Sequence, residues 1–97
     1  MKVSYSRRYL RDFYVIMDYL EALNPAAASR VSGEIDAAID QLIHFPSSGQ
    51  ATNYGTTRRL VTKRYGYLIY YSVNTASEIV QIQTVTHGRQ QRPFDDV

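Results

Sequence analysis

The sequence predicts an α+β domain of order β-α-α-β-β-β, with a helical hairpin packed on one face of a small, mainly antiparallel sheet. Its first half contains two amphipathic segments separated by a two-residue break, and its second half contains three β-rich segments. Short connections join those three segments, as is typical of antiparallel neighbours. A chain of 97 residues is expected to form a single domain over residues 1–97 with one modest core.

A short extended segment over residues 2–5 precedes the first predicted helix, residues 7–23, for which Ser6 is a suitable N-cap. We expect the core face of this helix to be an arc about 140° wide, at about 100° per residue, that holds Tyr9, Leu10, Phe13, Ile16, Met17, Leu20 and Leu23. Three further apolar residues, Tyr14, Val15 and Tyr19, lie outside the arc. Such a surplus predicts a second buried surface, either within the fold or beneath a partner.

The second predicted helix spans residues 25–44. Asn24 can cap it, and Pro25 fits the first helical position because its missing N–H has no partner there. Its apolar residues share a face about 160° wide at helical spacing: Ala27, Ala28, Val31, Ile35, Ala38, Ile39, Leu42 and Ile43. The two helices are therefore predicted to form an antiparallel hairpin.

Residues 46–57 are rich in Ser, Thr, Gly and Asn and are predicted to form a surface loop. Strands are predicted over residues 58–64, 67–74 and 78–87, with turns at 65–66 and 74–77. A polar tail occupies residues 89–97. Neither repeats nor low-complexity tracts interrupt this order.

Composition excludes several classes of function. The chain has no cysteine, which excludes disulfides, thiolate metal sites and a thiol nucleophile. Its two histidines, His44 and His87, do not have zinc-site spacing, so neither a metal nor a cofactor is expected. No apolar run approaches the ~20 residues of a membrane span, and no signal peptide is visible at the N-terminus. We therefore expect a cytoplasmic protein without a membrane partner.

Positive charge is concentrated in the second half of the chain, although the net charge is only +2. Between residues 58 and 92, Glu78 alone opposes the basic residues, which are Arg58, Arg59, Lys63, Arg64, Arg89 and Arg92. Strand alternation would divide the residues of the first basic segment between the two sheet faces, with Arg59 and Lys63 on one and Arg58 and Arg64 on the other. These charges indicate either a recognition patch or a solvated edge strand that resists aggregation.

An ordered series of short segments resembles the RelE/ParE superfamily of type II toxin–antitoxin toxins. The series covers nearly the whole chain and comprises Asn-Pro-Ala-Ala-Ala at 24–28, Leu-Ile-His-Phe-Pro-Ser-Ser-Gly at 42–49, Arg-Arg-Leu at 58–60, Tyr-Leu-Ile-Tyr-Tyr at 67–71 and Val-Thr-His-Gly-Arg at 85–89. The first and last segments resemble the ParE branch in particular. The resemblance implies a toxin that inhibits DNA gyrase, blocks replication and is neutralised in a hetero-oligomer by a cognate antitoxin, ParD-like or similar.

We expect the target to bind five residues of the sheet half, namely Arg59, Lys63, Arg64, His87 and Arg89. The antitoxin is expected to bind three residues of the first helix, Tyr14, Val15 and Tyr19, because a few aromatic anchors usually dominate an interface. These three could instead pack under the 46–57 loop or the C-terminal tail. The sequence does not identify a set of catalytic residues.

Two other functions stay open. A RelE-like, ribosome-dependent mRNA endoribonuclease needs a base, an acid and cations at the scissile phosphate, and the candidates are His87, Arg64, Arg59, Lys63 and Tyr70, with Tyr71 as a further proton-transfer group. The low net charge disfavours this function, and His87 could equally make a structural hydrogen bond at the strand end. The third possibility is a non-toxic module that only binds the antitoxin.

Overall fold

The computed structural model describes residues 1–88, and within this range the chain forms two helices and five strands. The elements follow one another as β1 (Lys2–Tyr5), α1 (Arg7–Leu23), α2 (Pro25–His44), β2 (Gln50–Ala51), β3 (Arg58–Val61), β4 (Tyr67–Asn74) and β5 (Ile79–His87). The predicted tail, residues 89–97, lies outside the described residues.

The sheet has the strand order β1-β5-β4-β3-β2, so the first strand lies beside the last. β1 runs parallel to β5, with Val3 opposite Val80, whereas the remaining neighbouring pairs are antiparallel. A parallel pair requires a long crossover connection, and the helical hairpin is part of that connection. The predicted α+β fold, a helical hairpin on a small, mainly antiparallel sheet, is confirmed.

Both helices begin where the sequence predicts, and the capping side chains explain why. The Ser6 hydroxyl accepts a hydrogen bond from the Tyr9 N–H at 3.0 Å. The Asn24 side-chain oxygen accepts from the N–H groups of Ala26 and Ala27 at 3.1 and 3.3 Å, and Pro25 follows at the first helical position. Each cap satisfies N–H groups that have no partner within the helix.

The buried face of α1 is narrower than the predicted arc. Tyr9 and Met17 are buried, and Phe13, Ile16 and Leu20 pack partly buried against the same core. The prediction was wrong for the two residues at the margins of the arc, because Leu10 is 41 % and Leu23 67 % exposed. A helix resting on a sheet buries the centre of its apolar stripe, and residues at the two edges point past the contact.

The core lies between the helices and one face of the central strands. From α2 it receives Ala28, Val31, Ile35, Ile39 and Leu42, which confirms the centre of the predicted apolar face. Ala27, Ala38 and Ile43, the other predicted members, are only half-buried. From β4 and β5 it receives Tyr67, Ile69, Tyr71, Val80, Ile82 and Val85. Burial of these side chains, at about 25 cal/mol per Å² of apolar surface removed from water, is the main stabilising contribution to the fold.

The segment between α2 and β3 is more ordered than a plain loop. Within the predicted loop 46–57, β2 pairs antiparallel with β3, placing Gln50 opposite Arg59 and Ala51 opposite Arg58. Pairing of only two residues leaves no hydrophobic periodicity to detect, so sequence pattern alone could not predict this strand.

The β3–β4 connection is longer than predicted, because β3 ends at Val61 rather than at residue 64. Residues 62–66, which we call the basic turn, form a hydrogen-bonded turn in which the Gly66 N–H donates to the Thr62 carbonyl at 3.1 Å. Gly66 has a φ of +70°, a left-handed conformation that glycine adopts without steric cost. Lys63 and Arg64 therefore lie on a turn, and strand alternation does not govern their direction.

Candidate functional site

The basic turn and the end of β5 form a cleft of about 490 Å³. Six residues line this basic cleft: Lys63, Arg64, Tyr65, Gly66, His87 and Gly88. Lys63 and Arg64 are both exposed. His87 is opposite Tyr67 in the β4–β5 register, and the two rings meet edge to face with centroids 5.0 Å apart. Two cations and an imidazole are thereby gathered at one end of the sheet.

The conformation of the basic turn is fixed from α2. The Glu34 carboxylate accepts hydrogen bonds from the backbone N–H groups of Arg64 and Tyr65, each at 3.1 Å. One helical turn earlier, Arg30 Nε donates to the Tyr65 hydroxyl at 3.2 Å. Because these contacts act on the turn backbone and on Tyr65, they leave the charged groups of the cleft directed toward solvent.

An apolar groove of about 520 Å³ adjoins the basic cleft, and we call it the sheet-side groove. It is lined by Val15, Ile16, Tyr19, Leu20, Tyr67 and His87. His87 belongs to both depressions, so the groove opens toward the positive charge of the turn. Burial raises the pKa of Tyr67 above its ordinary value of 10.0.

A second groove, of about 500 Å³, runs between the two helices, and we call it the interhelix groove. Tyr14 and Asp18 contribute to it from α1, and Ala28, Ser29 and Ser32 contribute from α2. Tyr14, Val15 and Tyr19 are 61, 64 and 66 % exposed, so none of them is buried beneath the 46–57 loop. The predicted antitoxin-binding residues thus divide between two surfaces, with Tyr14 in the interhelix groove and Val15 and Tyr19 in the sheet-side groove.

Arg59 and Tyr70 lie apart from the basic cleft. They face each other across β3 and β4 and line a small pocket of about 190 Å³ together with residues 51–54. Arg59 donates to the Gln50 side-chain oxygen at 3.3 Å, and Tyr70 is 1 % exposed. Tyr70 is three residues, or about 10 Å, along β4 from the position opposite His87.

Of the five candidate nuclease residues, the structure therefore brings together His87, Lys63 and Arg64, and it separates Arg59 and Tyr70 from them. The predicted target-binding residues divide in the same way, because Arg59 lies apart from Lys63, Arg64 and His87. Arg89, the remaining member of that set, lies outside the described residues. The roles assigned to these side chains stay predictions.

Tyr71 is the further proton-transfer candidate, and its hydroxyl makes two hydrogen bonds within the fold. That hydroxyl donates to the Pro46 carbonyl at 2.8 Å and accepts from the Gly49 N–H at 2.9 Å. Gly49 allows this approach, since a Cβ there would lie 2.6 Å from the Tyr71 oxygen. Arg58 donates to the carbonyls of Gly49 and Ser47 at 3.1 and 3.2 Å. These contacts fix the loop before β3.

The sequence analysis missed Glu34 and Arg30, which fix the basic turn. Their spacing of four residues indicates a shared helix face, but a solvated face has the same spacing. Their partners lie 30 to 35 residues later, and no local pattern predicts such a contact.

The described residues form neither a metal site nor a membrane-spanning helix. Among residues 1–88, no cluster of three or more His, Cys, Asp or Glu side chains could hold a metal ion. Within the same range, neither helix has the length and apolar character needed to cross a membrane.

Comparisons with known proteins give the family. A family model described as the ParE toxin of the type II toxin–antitoxin system parDE matches residues 3–92. The protein Y4kP of Sinorhizobium fredii is 37 % identical over 92 residues, which are 95 % of this chain and 93 % of that protein. Toxin RelE1 of Caulobacter vibrioides is 33 % identical over 90 residues, which are 90 % and 92 % of the two chains.

Solved structures share the fold at low sequence identity. The chromosomal ParDE toxin–antitoxin system from P. aeruginosa contains a chain that superposes with a TM-score of 0.76 and 19 % identity, covering 90 % of this chain and 95 % of that one. The intact E. coli RelBE toxin–antitoxin complex matches with a TM-score of 0.62 and 11 % identity, covering 92 % and 98 %. By the family-model match and the two sequence relatives, this chain belongs to the RelE/ParE superfamily and, within it, to the ParE toxin family of type II toxin–antitoxin systems.

Proposed function

We propose that this toxin inhibits DNA gyrase by binding it through the basic cleft, without covalent chemistry of its own, and so blocks replication. The observation that carries the proposal is the division of the candidate residues. Lys63, Arg64 and His87 share one cleft, whereas Arg59 and Tyr70 lie in another pocket. The match to the ParE toxin family supports gyrase as the target.

The form of the basic cleft suits recognition. Lys63 and Arg64 are exposed on a turn whose backbone is hydrogen-bonded to α2, so binding need not order that backbone. Cations held in this way give an interface electrostatic complementarity toward an acidic partner surface. The proposed site of action is the cytoplasm, where such a target is found.

A RelE-like mRNA endoribonuclease is the second candidate, and His87 is the observation that favours it. An imidazole beside two cations could move a proton at the 2′-hydroxyl while Lys63 and Arg64 stabilise the phosphorane. The name of the relative RelE1 is consistent with this alternative. His87→Ala or Arg64→Ala should then abolish cleavage without unfolding the protein.

Purified toxin distinguishes the two candidates when it is tested in parallel on gyrase supercoiling and on mRNA bound to ribosomes. We expect loss of supercoiling at toxin concentrations that leave the mRNA intact. Specific mRNA cuts with fully active gyrase would refute the gyrase proposal and support the nuclease. Absence of growth arrest on induction without antitoxin would refute both and leave the antitoxin-binding module.

We further propose that a cognate antitoxin, ParD-like or similar, forms a hetero-oligomer with the toxin by occupying both grooves of α1. Tyr14 and Tyr19 are five residues apart, or about 140° around the helix, so each groove receives one exposed tyrosine. The solved ParDE and RelBE assemblies support an antitoxin partner. An amphipathic segment fits these surfaces, because the sheet-side groove is mainly apolar and the interhelix groove has both apolar and polar side chains in its lining.

Single substitutions test the two grooves separately. Tyr14→Ser and Tyr19→Ser should each weaken antitoxin binding by about tenfold or more while the melting temperature stays unchanged, because anchoring tyrosines often contribute ~1.4 kcal/mol or more to an interface. Ser29→Ala, a small change in the same interhelix groove, is the control for Tyr14. A large fall in melting temperature with intact antitoxin binding would show that the tyrosines are structural.

A further inference from the structure

Glu34 is the residue of α2 that holds the backbone of the basic turn. From α2, its two carboxylate oxygens accept hydrogen bonds from the consecutive N–H groups of Arg64 and Tyr65, thirty and thirty-one residues later in the chain. These N–H groups lie where β3 pairing has ended, so they need an acceptor from elsewhere. Hydrogen bonds to an ionised carboxylate are about twice as strong as neutral ones.

Other contacts fix the same turn from both sides. On the α2 side, Arg30 donates to the Tyr65 hydroxyl at 3.2 Å. On the β5 side, the Gly88 N–H donates to the Gly66 carbonyl at 2.9 Å, which joins the turn to the residue after His87. The Arg64 guanidinium carbon lies 5.6 Å from the centre of the Tyr65 ring. The backbone of the turn is thus fixed while the Lys63 and Arg64 side chains stay exposed.

We propose that Glu34 is a positioning residue of the target-binding surface. By accepting both N–H groups it fixes the conformation of the basic turn, which directs the Lys63 and Arg64 side chains toward the target. The proposal rests on the proposed role of this turn in target binding. A turn that is fixed before binding loses less conformational entropy in the complex, so loss of Glu34 should weaken binding although Glu34 itself does not touch the target.

Glu34→Gln is the most informative variant, because it preserves the size of the side chain. It replaces one acceptor oxygen by an NH₂ group, which can only donate and therefore opposes a backbone N–H. Asp40→Asn is the matched control. It removes one negative charge from the same helix, at an exposed position six residues further along.

The first measurement does not depend on any target. In Glu34→Gln, amide hydrogen exchange at Arg64 and Tyr65 should be about tenfold faster, and trypsin should cleave faster after Lys63 and Arg64. Asp40→Asn should retain the wild-type rates. Wild-type exchange and cleavage in Glu34→Gln would overturn the proposal, because Glu34 would then not fix the turn.

The second measurement asks whether Glu34 acts through the turn. Glu34→Gln should raise the concentration of toxin needed for half-inhibition of gyrase about fivefold to tenfold, with an unchanged folded fraction. In a Lys63→Ala/Arg64→Ala background it should have no further effect. Additive effects would overturn the proposal. If wild-type toxin leaves gyrase active, the proposed function fails, and the same comparison is made on growth arrest, where additivity again overturns the positioning role.

Discussion

At the loop end of β3, Arg58 is half-buried and donates to the carbonyls of Gly49 and Ser47, whereas beyond the other end Lys63 and Arg64 are exposed on the basic turn. Both groups of cations come from one short basic segment of the sequence. The two ends differ in what surrounds the cations. At the loop end, two backbone carbonyls accept hydrogen bonds from the Arg58 guanidinium. At the turn end Glu34 binds the backbone and leaves the cationic side chains exposed.

A cluster of basic residues in a sequence therefore does not by itself identify a recognition surface. An arginine whose hydrogen bonds close a loop contributes to stability, and its removal leaves carbonyls without a donor. An exposed lysine contributes little to folding, typically within ±0.5 kcal/mol, and is free to serve binding. Substitutions at the two ends of β3 should therefore change the free energy of unfolding by different amounts.

The largest effect is expected at the loop end, from Gly49→Ala. The added Cβ would lie 2.6 Å from the Tyr71 hydroxyl oxygen and 2.8 Å from the Arg59 carbonyl, so the loop must move and its hydrogen bond to Tyr71 weakens. We expect a loss of about 2–3 kcal/mol in the free energy of unfolding, measured by urea denaturation. Gly33→Ala, with nothing within 4 Å of the new Cβ in the middle of α2, should stabilise by up to about 1 kcal/mol.

A smaller effect, about 1.5 kcal/mol, is expected from Arg58→Ala, because its two hydrogen bonds have a charged donor but are partly exposed to solvent. Lys63→Ala is the matched substitution at the turn end and should change the free energy of unfolding by no more than about 0.5 kcal/mol. Equal losses in the two variants would remove the distinction between the two ends of β3.

The smallest effect is expected from Asp36 on α2, because the fold disfavours the ionised form of its carboxyl group. Burial, and next to it the Asp40 carboxylate, raises the pKa of Asp36 above its ordinary value of 3.8. The stability from this group is therefore fully present below pH 3.8 and is lost as pH rises through the higher pKa of the folded state. Asp36→Asn should raise the melting temperature slightly at pH 7, and the gain should vanish near pH 3. An equal gain at both pH values would exclude this cause.

The helices were predictable because their signals are local. Ser6 and Asn24 satisfy the first N–H groups of their own helices, and the apolar spacing of α2 defines its buried face without reference to the rest of the chain. The division of Tyr14 and Tyr19 between two grooves was not predicted, although a separation of five residues corresponds to about 140° around a helix.

The candidate site was predictable only in part, because its geometry depends on contacts between distant segments. The sequence indicated Lys63, Arg64 and His87 as site residues, but strand alternation placed the two cations on opposite faces of a strand that ends before them. β2 exists through its pairing with Arg58 and Arg59. Glu34 has no local pattern that distinguishes it from any other acid on the solvent face of a helix.

We infer that the turn-end cations, Lys63 and Arg64, serve target binding, whereas the loop-end Arg58 stabilises the fold. The most direct measurement is inhibition of gyrase supercoiling by the Lys63→Ala/Arg64→Ala double variant, at equal folded fraction and with antitoxin affinity as the check on structure. We predict that half-inhibition requires at least about tenfold more of the variant, with unchanged melting temperature and antitoxin affinity. Wild-type inhibition by the double variant, or a loss of inhibition explained by unfolding, would show that these cations do not serve target binding.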